Sequence, residues 1–258
     1  MFTAFKRHPI PVRAHFGHSL VLTYAFPEDL LTPLIPPGLG LLTYKDLGFV
    51  AIAMVQTRGL RPAFLPGFLG QDFFLSGYRV FTSFEREPGK TIRGLRILRS
   101  DTDKPVMKAF GNLLTHYNYC NADVKLEENG QELSIGIRTP KAVADLQVVA
   151  DLSSRPAPLP QGSPFESLAD ARKFAGPLPF TFDYEKETHS IVVIKGVRKE
   201  WDPQPVAVRV LECTFFRDPR FQGVRPLLAN AFYLRDVPYE WKKGVRHELQ
   251  GRRRDHSL

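Results

Sequence analysis

The sequence has few residues that could hold a fold together covalently or through a metal ion. It contains only two cysteines in 258 residues, Cys120 and Cys213, and neither belongs to a CxxC pair. Both lie in apolar, strand-like runs, so we expect reduced core cysteines rather than a zinc or redox site. The Asp101-x-Asp103 pair lacks the glycine and the further oxygen ligands of a calcium loop. The sequence therefore predicts no metal site and no cofactor.

Long hydrophobic runs and the common catalytic signatures are also missing. No stretch approaches the ~18 apolar residues of a membrane span, and the first residues lack the apolar run of a signal peptide. We therefore expect a cytoplasmic protein that has no membrane partner. The sequence contains no GxSxG elbow, HExxH helix, P-loop or GxGxxG turn, which argues against the commonest hydrolases, zinc proteases and nucleotide-binding enzymes.

Acidic residues are outnumbered, and the formal net charge is +8 with a pI of about 9.5. The excess positive charge does not form one continuous stretch. Much of it lies near the two ends, at Lys6, Arg7, Arg13, Lys242, Lys243, Arg246, Arg252, Arg253 and Arg254. The middle of the chain mixes both signs, whereas nucleic-acid-binding domains cluster their cations on one face. We therefore expect no nucleic-acid partner, and we interpret residues 247–258 as a basic C-terminal tail in solvent.

What the sequence does contain is a series of apolar runs typical of strands. They span residues 13–26, 48–57, 77–85, 91–100, 117–126, 132–139, 180–185, 190–197, 206–216 and 229–239. Pro88-Gly89 and Asn129-Gly130 mark tight turns between neighbouring runs. Short helices are predicted over residues 27–31, after Asp103 as the N-cap, and over residues 164–175. The pattern indicates a mainly β (α+β) chain with an antiparallel sheet, folded as one domain over residues 1–258.

The densest group of polar residues lies between residues 99 and 117. A helix beginning near Lys104 would place Lys104, Lys108 and Asn112 on one stripe, because they are spaced four residues apart. His116 and Tyr117 follow where this helix passes into a strand, and pockets are often lined at such junctions. The alternative is an amphipathic helix whose lysines simply face water.

Two more polar residues interrupt apolar strands, each just after a glycine. They are His18, after Gly17, and Arg79, two residues after Gly77. A buried arginine must be paired or must face a cavity, since an unpaired charge in an apolar interior is costly. Arg79 could therefore bind an anion in a pocket or form a structural ion pair, and His18 could contact a ligand or be a satisfied core histidine.

Four early motifs occur in a characteristic order. They are His18-Ser19-Leu20-Val21-Leu22-Thr23-Tyr24, Pro27-Glu28-Asp29-Leu30-Leu31, Leu34-Ile35-Pro36-Pro37-Gly38-Leu39 and Val50-Ala51-Ile52-Ala53-Met54. In this order they resemble the opening of the acetoacetate decarboxylase superfamily, and most closely an uncharacterised bacterial family grouped with it. Weaker similarity continues through residues 70–85, 94–119 and 228–237. The resemblance implies a barrel-like antiparallel sheet with a few peripheral short helices and an internal cavity.

The superfamily's chemistry does not carry over with the resemblance. The decarboxylases place a Pro-Lys-Lys tripeptide after a short helix, and its first lysine condenses with the substrate ketone. The corresponding stretch here is Leu114-Thr115-His116-Tyr117-Asn118, which has neither proline nor lysine. The family's glutamate falls at about Val50, and its arginine falls near Gly17. We therefore expect no reaction through a Schiff-base lysine.

These observations lead to an enzyme hypothesis and to its alternatives. In the enzyme hypothesis the protein acts on a small carbonyl or carboxylate compound, and His116 is the acid and base because histidine titrates near neutrality. Tyr117 and Asn112 would orient the substrate, Arg79 would hold a negative group, and His18 would be a further contact. In the first alternative the same residues bind a small-molecule ligand without catalysis. In the second, the basic ends contact nucleic acid or a membrane, and a homo-oligomer is left open throughout.

Overall fold

The computed structural model describes residues 3–153, 156–176 and 178–249, and these residues form two β-sheets. The strands are β1 Val12–Pro27, β2 Leu39–Leu41, β3 Thr43–Tyr44, β4 Leu47–Pro62, β5 Gln71–Glu87, β6 Lys90–Thr102, β7 Tyr119–Asn121, β8 Asp123–Asn129, β9 Glu132–Arg138, β10 Leu146–Asp151, β11 Phe180–Glu185, β12 Ser190–Arg198, β13 Gln204–Pro205, β14 Ala207–Cys213, β15 Leu227–Trp241 and β16 Val245–Glu248. The fold is therefore mainly β, as the apolar runs predict.

The helices are short and lie between strands. The α-helices are α1 Glu28–Leu31, α2 Pro105–Leu114 and α3 Leu168–Ala175. Short 3-10 helices cover Thr3–Lys6, Thr32–Leu34, Gly67–Leu69, Pro140–Ala142, Lys186–Thr188, Phe215–Arg217 and Pro219–Phe221. In the described part of the chain, no helix is long and apolar enough to cross a membrane.

Seven strands of the larger sheet close into a ring. Each pairs with the next in the order β15, β1, β4, β5, β6, β11 and β12, and β12 pairs back to β15 through Gly196 to Arg198. Because successive side chains of a strand point to opposite faces, alternate residues face the inside and the outside of the ring. The predicted barrel-like sheet is confirmed. It is mixed rather than wholly antiparallel, since β6 pairs in parallel with both β7 and β11.

The second sheet covers the outside of the ring on one side. Its strands lie in the order β14, β10, β9, β8. Outward-facing residues of β1, such as Leu20 and Leu22, belong to the same buried cluster as Ile135 of β9 and Val148 of β10. All four side chains are fully buried, so the main hydrophobic core lies between the two sheets. The interior of the ring is not part of this core.

Two local expectations are wrong. Asp103 does not cap α2: the N-cap residue is Lys104, and the Asp103 carboxylate instead accepts a 2.7 Å hydrogen bond from the Phe74 backbone NH. The predicted tail over residues 247–258 begins too early. His247 and Glu248 belong to β16, which pairs with β12, and the Leu249 NH donates to the His189 carbonyl at 3.0 Å. Residues 250–258 lie outside the described residues.

Candidate functional site

A cavity of about 210 Å³ lies inside the ring. Every strand of the ring contributes to its wall, for example through Val21, Ala53, Arg79, Ile97, Thr181, Arg198 and Tyr239. Phe110 of α2 lines the cavity and is also 57% exposed, so the cavity reaches the surface beside this helix. Since an apolar cavity of about 150 Å³ takes benzene, this one suits a ligand of roughly eight to twelve non-hydrogen atoms.

Arg79 extends from β5 into the cavity. Its side chain lies over Gly77, two residues earlier on the same face, and a Cβ at Gly77 would come within 2.8 Å of the Arg79 Nε. The glycine therefore leaves the space that the guanidinium occupies. The Arg79 side chain keeps some accessible surface because it faces the cavity. The surrounding protein nevertheless shields it from bulk solvent, and this burial lowers its pKa. An arginine keeps its charge in proteins even so.

A second arginine, Arg198, reaches the cavity from β12. Its guanidinium carbon lies 3.8 Å from the centroid of the Trp201 ring and 6.0 Å from that of Tyr239, so it is stabilised by cation–π contacts. Tyr239 stacks on Phe16 at a centroid distance of 4.6 Å. The pKa of Arg198 is lowered, first by burial and also by repulsion from Arg79. The cavity thus holds two cations that act on each other.

Several polar atoms in the cavity wall are buried without a hydrogen-bond partner. They are Nδ1 of His8, Oγ1 of Thr23, Nε of Arg79, the hydroxyl of Tyr117, Nε1 of Trp201 and Nη2 of Arg198. Every one of these groups can donate a hydrogen bond. An unsatisfied buried polar group costs about 1–3 kcal/mol. Among the described residues that line the cavity there is no aspartate or glutamate, so the wall offers donors and positive charge to an acceptor that it does not itself contain.

His8 is the one imidazole among the cavity-lining residues that the structure describes. Its backbone is held on both sides, because its NH donates to Leu114 at 2.9 Å and its carbonyl accepts from Gly244 at 3.0 Å. It adopts a positive φ of 54°, which is uncommon for a residue other than glycine. Burial lowers its pKa to about 4. The imidazole is therefore neutral near pH 7.

Two of the five predicted site residues, Arg79 and Tyr117, line the cavity. His116 does not. Its flanking residues Thr115 and Tyr117 face the cavity, and because Thr115 is extended the side chain between them is directed away. His116 is half-buried, and its pKa is lowered by burial and by the charge of Lys6. The prediction that His116 forms the cavity wall is therefore wrong.

His18 and Asn112 also lie away from the cavity. The pairing of β1 with β4 shifts register between Phe16 and Ser19, and both of these residues face inward. This bulge moves His18 to the outer face, where its Nδ1 lies 2.8 Å from the Tyr233 hydroxyl. Asn112 has a structural role: its amide donates to the Tyr119 carbonyl at 2.9 Å and accepts from the Tyr119 NH at 2.8 Å.

A buried carboxylic acid, Asp183, lies on β11 two residues after the lining residue Thr181, but it does not itself line the cavity. It is nearly inaccessible, and its Oδ2 has no hydrogen-bond partner among the described residues. Burial raises its pKa to about 7, against the opposing charge of Arg96. Burial raises the pKa of Tyr117 and the charge of Asp183 raises it further, while the Tyr117 hydroxyl lies near Thr181 without reaching hydrogen-bond geometry. Tyr117 therefore stays neutral and can only donate or accept a hydrogen bond.

Sequence reasoning missed His8, Arg198 and Trp201. One signal could have found Arg198: Gly196-Val197-Arg198 repeats the Gly-x-Arg spacing of Gly77-Tyr78-Arg79. A Cβ at Gly196 would collide with the Tyr239 hydroxyl, so this glycine also makes room at the cavity. Nothing local distinguishes His8, because its position depends on contacts with Leu114 and Gly244, which are distant in the chain.

Comparison with known families gives one match. Residues 13–238 match the family designated DUF2071, described as an uncharacterized conserved protein. No curated protein sequence matches the chain significantly.

Solved structures with the same fold include enzymes. An acetoacetate decarboxylase from Legionella pneumophila is 14% identical with a TM-score of 0.61, over 93% of this chain and 88% of that chain. The enduracididine biosynthesis enzyme MppR, complexed with pyruvate, is 10% identical with a TM-score of 0.60, over 92% and 90%. An acetoacetate decarboxylase-like enzyme from Sphingomonas wittichii RW1 is 11% identical with a TM-score of 0.58, over 93% and 94%. At these identities the similarity shows the fold alone.

Proposed function

The chain belongs to the DUF2071 family, and we propose that it is an enzyme acting on a small carbonyl-containing carboxylic acid held in the cavity of the ring. The observation that carries the proposal is the pair Arg79 and Arg198, which line an otherwise largely apolar cavity that has no acidic side chain among its described lining residues. Guanidinium groups match carboxylates in geometry and charge. The complex of the similarly folded MppR with pyruvate supports the same ligand class.

The reaction would proceed without a Schiff base. No lysine is among the described residues that line the cavity, and Lys104 and Lys108 of α2 are exposed. His8 is the lining group best suited to accept a proton near pH 7, and the unpartnered donors of Trp201 and Tyr117 would bind the carbonyl oxygen. Donors already fixed in place stabilise negative charge that develops on such an oxygen. The class of reaction that fits is proton transfer at the carbon beside the carbonyl.

A non-catalytic binding protein is the second candidate. One observation favours it: none of the titratable groups of His8, Tyr117 and Tyr119 in the cavity wall has a pKa near 7, since burial lowers the pKa of His8 to about 4 and raises the pKa values of the two tyrosines. A storage or sensing protein would need the arginines and the apolar wall but no base.

Calorimetric titration with pyruvate and benzoate tests the binding step. Arg79→Met should weaken binding about 10- to 100-fold, because a hydrogen bond to a charged group contributes about 1.5–3 kcal/mol. Arg209→Met is the matched control, since Arg209 lies on β14 of the other sheet and is 70% exposed. Equal weakening in both variants would contradict a site at Arg79.

Proton NMR in D2O, with a panel of 2-oxo and 3-oxo acids, tests the catalytic step. We expect the enzyme to exchange hydrogens beside the carbonyl of at least one compound, and His8→Asn to lower that rate by about 10²- to 10⁴-fold. If compounds bind through Arg79 but none exchanges or turns over, the binding protein is the correct interpretation.

A further inference from the structure

The cavity contains more positive charge than a single carboxylate can neutralise. Arg79 and Arg198 both line it, and neither forms an ion pair with a described residue. They stand on different strands, β5 and β12, and β6 and β11 lie between these strands on one side of the ring. The two guanidinium groups therefore approach the cavity from different parts of its wall.

Two acidic residues of β11, Asp183 and Glu185, do not neutralise these arginines. Asp183 is buried and does not line the cavity, its charge acts on Arg96, and burial favours its neutral form. Glu185, on the same strand, is paired with Arg7 at 2.5 Å. Cation–π contact with Trp201 partly stabilises Arg198, but an aromatic ring carries no net charge. Each arginine also keeps a buried N–H without an acceptor, at Nε of Arg79 and at Nη2 of Arg198.

Resting on the proposed function, we infer that the ligand of this cavity is a dianion whose two negative charges are neutralised by Arg79 and Arg198 together. A monoanion would leave one cation desolvated and unpaired, whereas a dianion neutralises both. The rest of the ligand must be largely apolar because apolar side chains such as Val21, Ala53, Ile97 and Phe232 also line the cavity. The two charges could be carried by two carboxylates or by one phosphate monoester.

The test compares dianions with monoanions of matched size by calorimetry. The dicarboxylates malonate, succinate, glutarate and adipate are titrated against propionate, butyrate, valerate and hexanoate, and phenyl phosphate is titrated against benzoate. We expect at least one dianion to bind tenfold or more tightly than its matched monoanion. A gain confined to dicarboxylates identifies two separate carboxylates, and a gain confined to phenyl phosphate identifies a phosphate monoester.

Two variants of Arg198 test whether the tighter binding of the dianion depends on the arginine pair. Arg198→Met should abolish the tenfold preference for the dianion while monoanion binding changes less, and Arg198→Lys should restore part of it. Arg209→Met, which removes an exposed charge from the other sheet, should leave the preference unchanged. Thermal denaturation of each variant confirms that it is folded.

The outcomes separate this inference from the proposed function. If monoanions bind through Arg79 and no dianion binds more tightly, the dianion inference is overturned and the proposed function stands. If the preference persists in Arg198→Met, the second charge lies elsewhere and the inference is again overturned. If neither class binds, both the inference and the proposed function fail.

Discussion

At the scale of single residues, two glycines create the space for the candidate site. Gly77 lies beneath the Arg79 side chain, and a Cβ there would come 3.0 Å from one guanidinium nitrogen as well as 2.8 Å from the Nε. Gly196 lies against the Tyr239 hydroxyl on the strand that carries Arg198. Arg79 therefore depends on the missing side chain of Gly77, and Gly196 leaves room for the cavity-lining Tyr239.

This dependence predicts that Gly77→Ala weakens carboxylate binding although it touches no ligand. The added methyl group must displace the guanidinium, so we expect benzoate affinity to fall about tenfold, within the range for loss of a charged hydrogen bond. Gly136→Ala is the matched control, because Gly136 is also a strand glycine but a Cβ there meets nothing closer than 4.0 Å. Calorimetry on both variants checks the effect, and unchanged affinity in Gly77→Ala would show that Arg79 does not bind the ligand.

Asp183 makes the stability of the protein depend on pH. Its pKa is about 7 in the fold, against 3.8 as the ordinary value. The folded state therefore binds more protons between these values, and the contribution of Asp183 to stability is present below about pH 4 and lost as the pH rises through 7.

Asp183→Asn should remove that loss. Compared with the wild type, the variant should gain stability steadily from pH 4 to pH 8, by an amount on the order of 4 kcal/mol. Urea denaturation at several pH values measures the difference, with the exposed Asp123→Asn as a control. The lowered pKa of His8 makes stability rise with pH, which is opposite to the effect of Asp183. This contribution is the same in the wild type and the variants, so it cancels from the difference in stability. A constant difference between variant and wild type across this range would mean that Asp183 is ionised normally.

At the scale of strands and helices, the alternation of apolar and polar residues predicts the positions of strands well. It predicts less well which sheet a strand joins and which face a side chain occupies. The runs at residues 13–26, 132–139 and 180–185 coincide closely with β1, β9 and β11. The run at 117–126 is divided between β7 and β8, which belong to different sheets, and β10 was not predicted. Periodicity identifies a strand from its own residues, but the sheet that it joins depends on partners far away in the chain.

The same limit explains which site residues could be predicted. Arg79 follows the regular alternation of β5, so an inward-facing position can be read from the sequence. His18 lies just inside the β1 bulge, and one extra residue moves it to the outer face. His116 lies in the extended segment after α2, where the position of Tyr117 in the wall fixes it on the opposite side. Register shifts of this kind are set by the strand partner and leave no local signal.

The last strand, β16, determines how many C-terminal residues can be removed without loss of stability. Four of its residues pair with β12, and Leu249 packs with the cluster that contains Phe84 and Phe182. Removal of residues 247–258 should therefore cost about 1–3 kcal/mol of unfolding free energy, the usual range for loss of packed contacts. Removal of residues 250–258 alone should cost less than about 0.5 kcal/mol. Urea denaturation compares the two, and equal stability would show that residues 247–249 contribute nothing.

At the scale of the whole molecule, the hydrophobic core and the candidate site occupy different places. The packed core lies between the outer face of the ring and the second sheet. The ring interior is therefore free to hold a cavity lined by arginines and unpartnered donors.

Acetoacetate should form no imine with this protein. Lys104 and Lys108 are exposed, and no lysine is among the described residues that line the cavity, whereas a Schiff-base lysine must lie beside the substrate carbonyl in a desolvated site. Borohydride reduction in the presence of acetoacetate, followed by mass spectrometry, should find no modified lysine, while an acetoacetate decarboxylase treated in parallel is labelled. A reduced adduct on this chain, first sought at Lys108, would show that a lysine reaches the substrate after all.

In the proposed function, the ring holds a small carboxylic acid between Arg79 and Arg198. A crystal structure with 4-bromobenzoate tests it most directly, because the anomalous scattering of bromine locates the ligand independently of the protein density. We predict a bromine peak within the apolar part of the cavity and carboxylate oxygens within hydrogen-bond distance of at least one of the two guanidinium groups. A ligand bound outside the ring, or a carboxylate directed away from both arginines, would contradict the account.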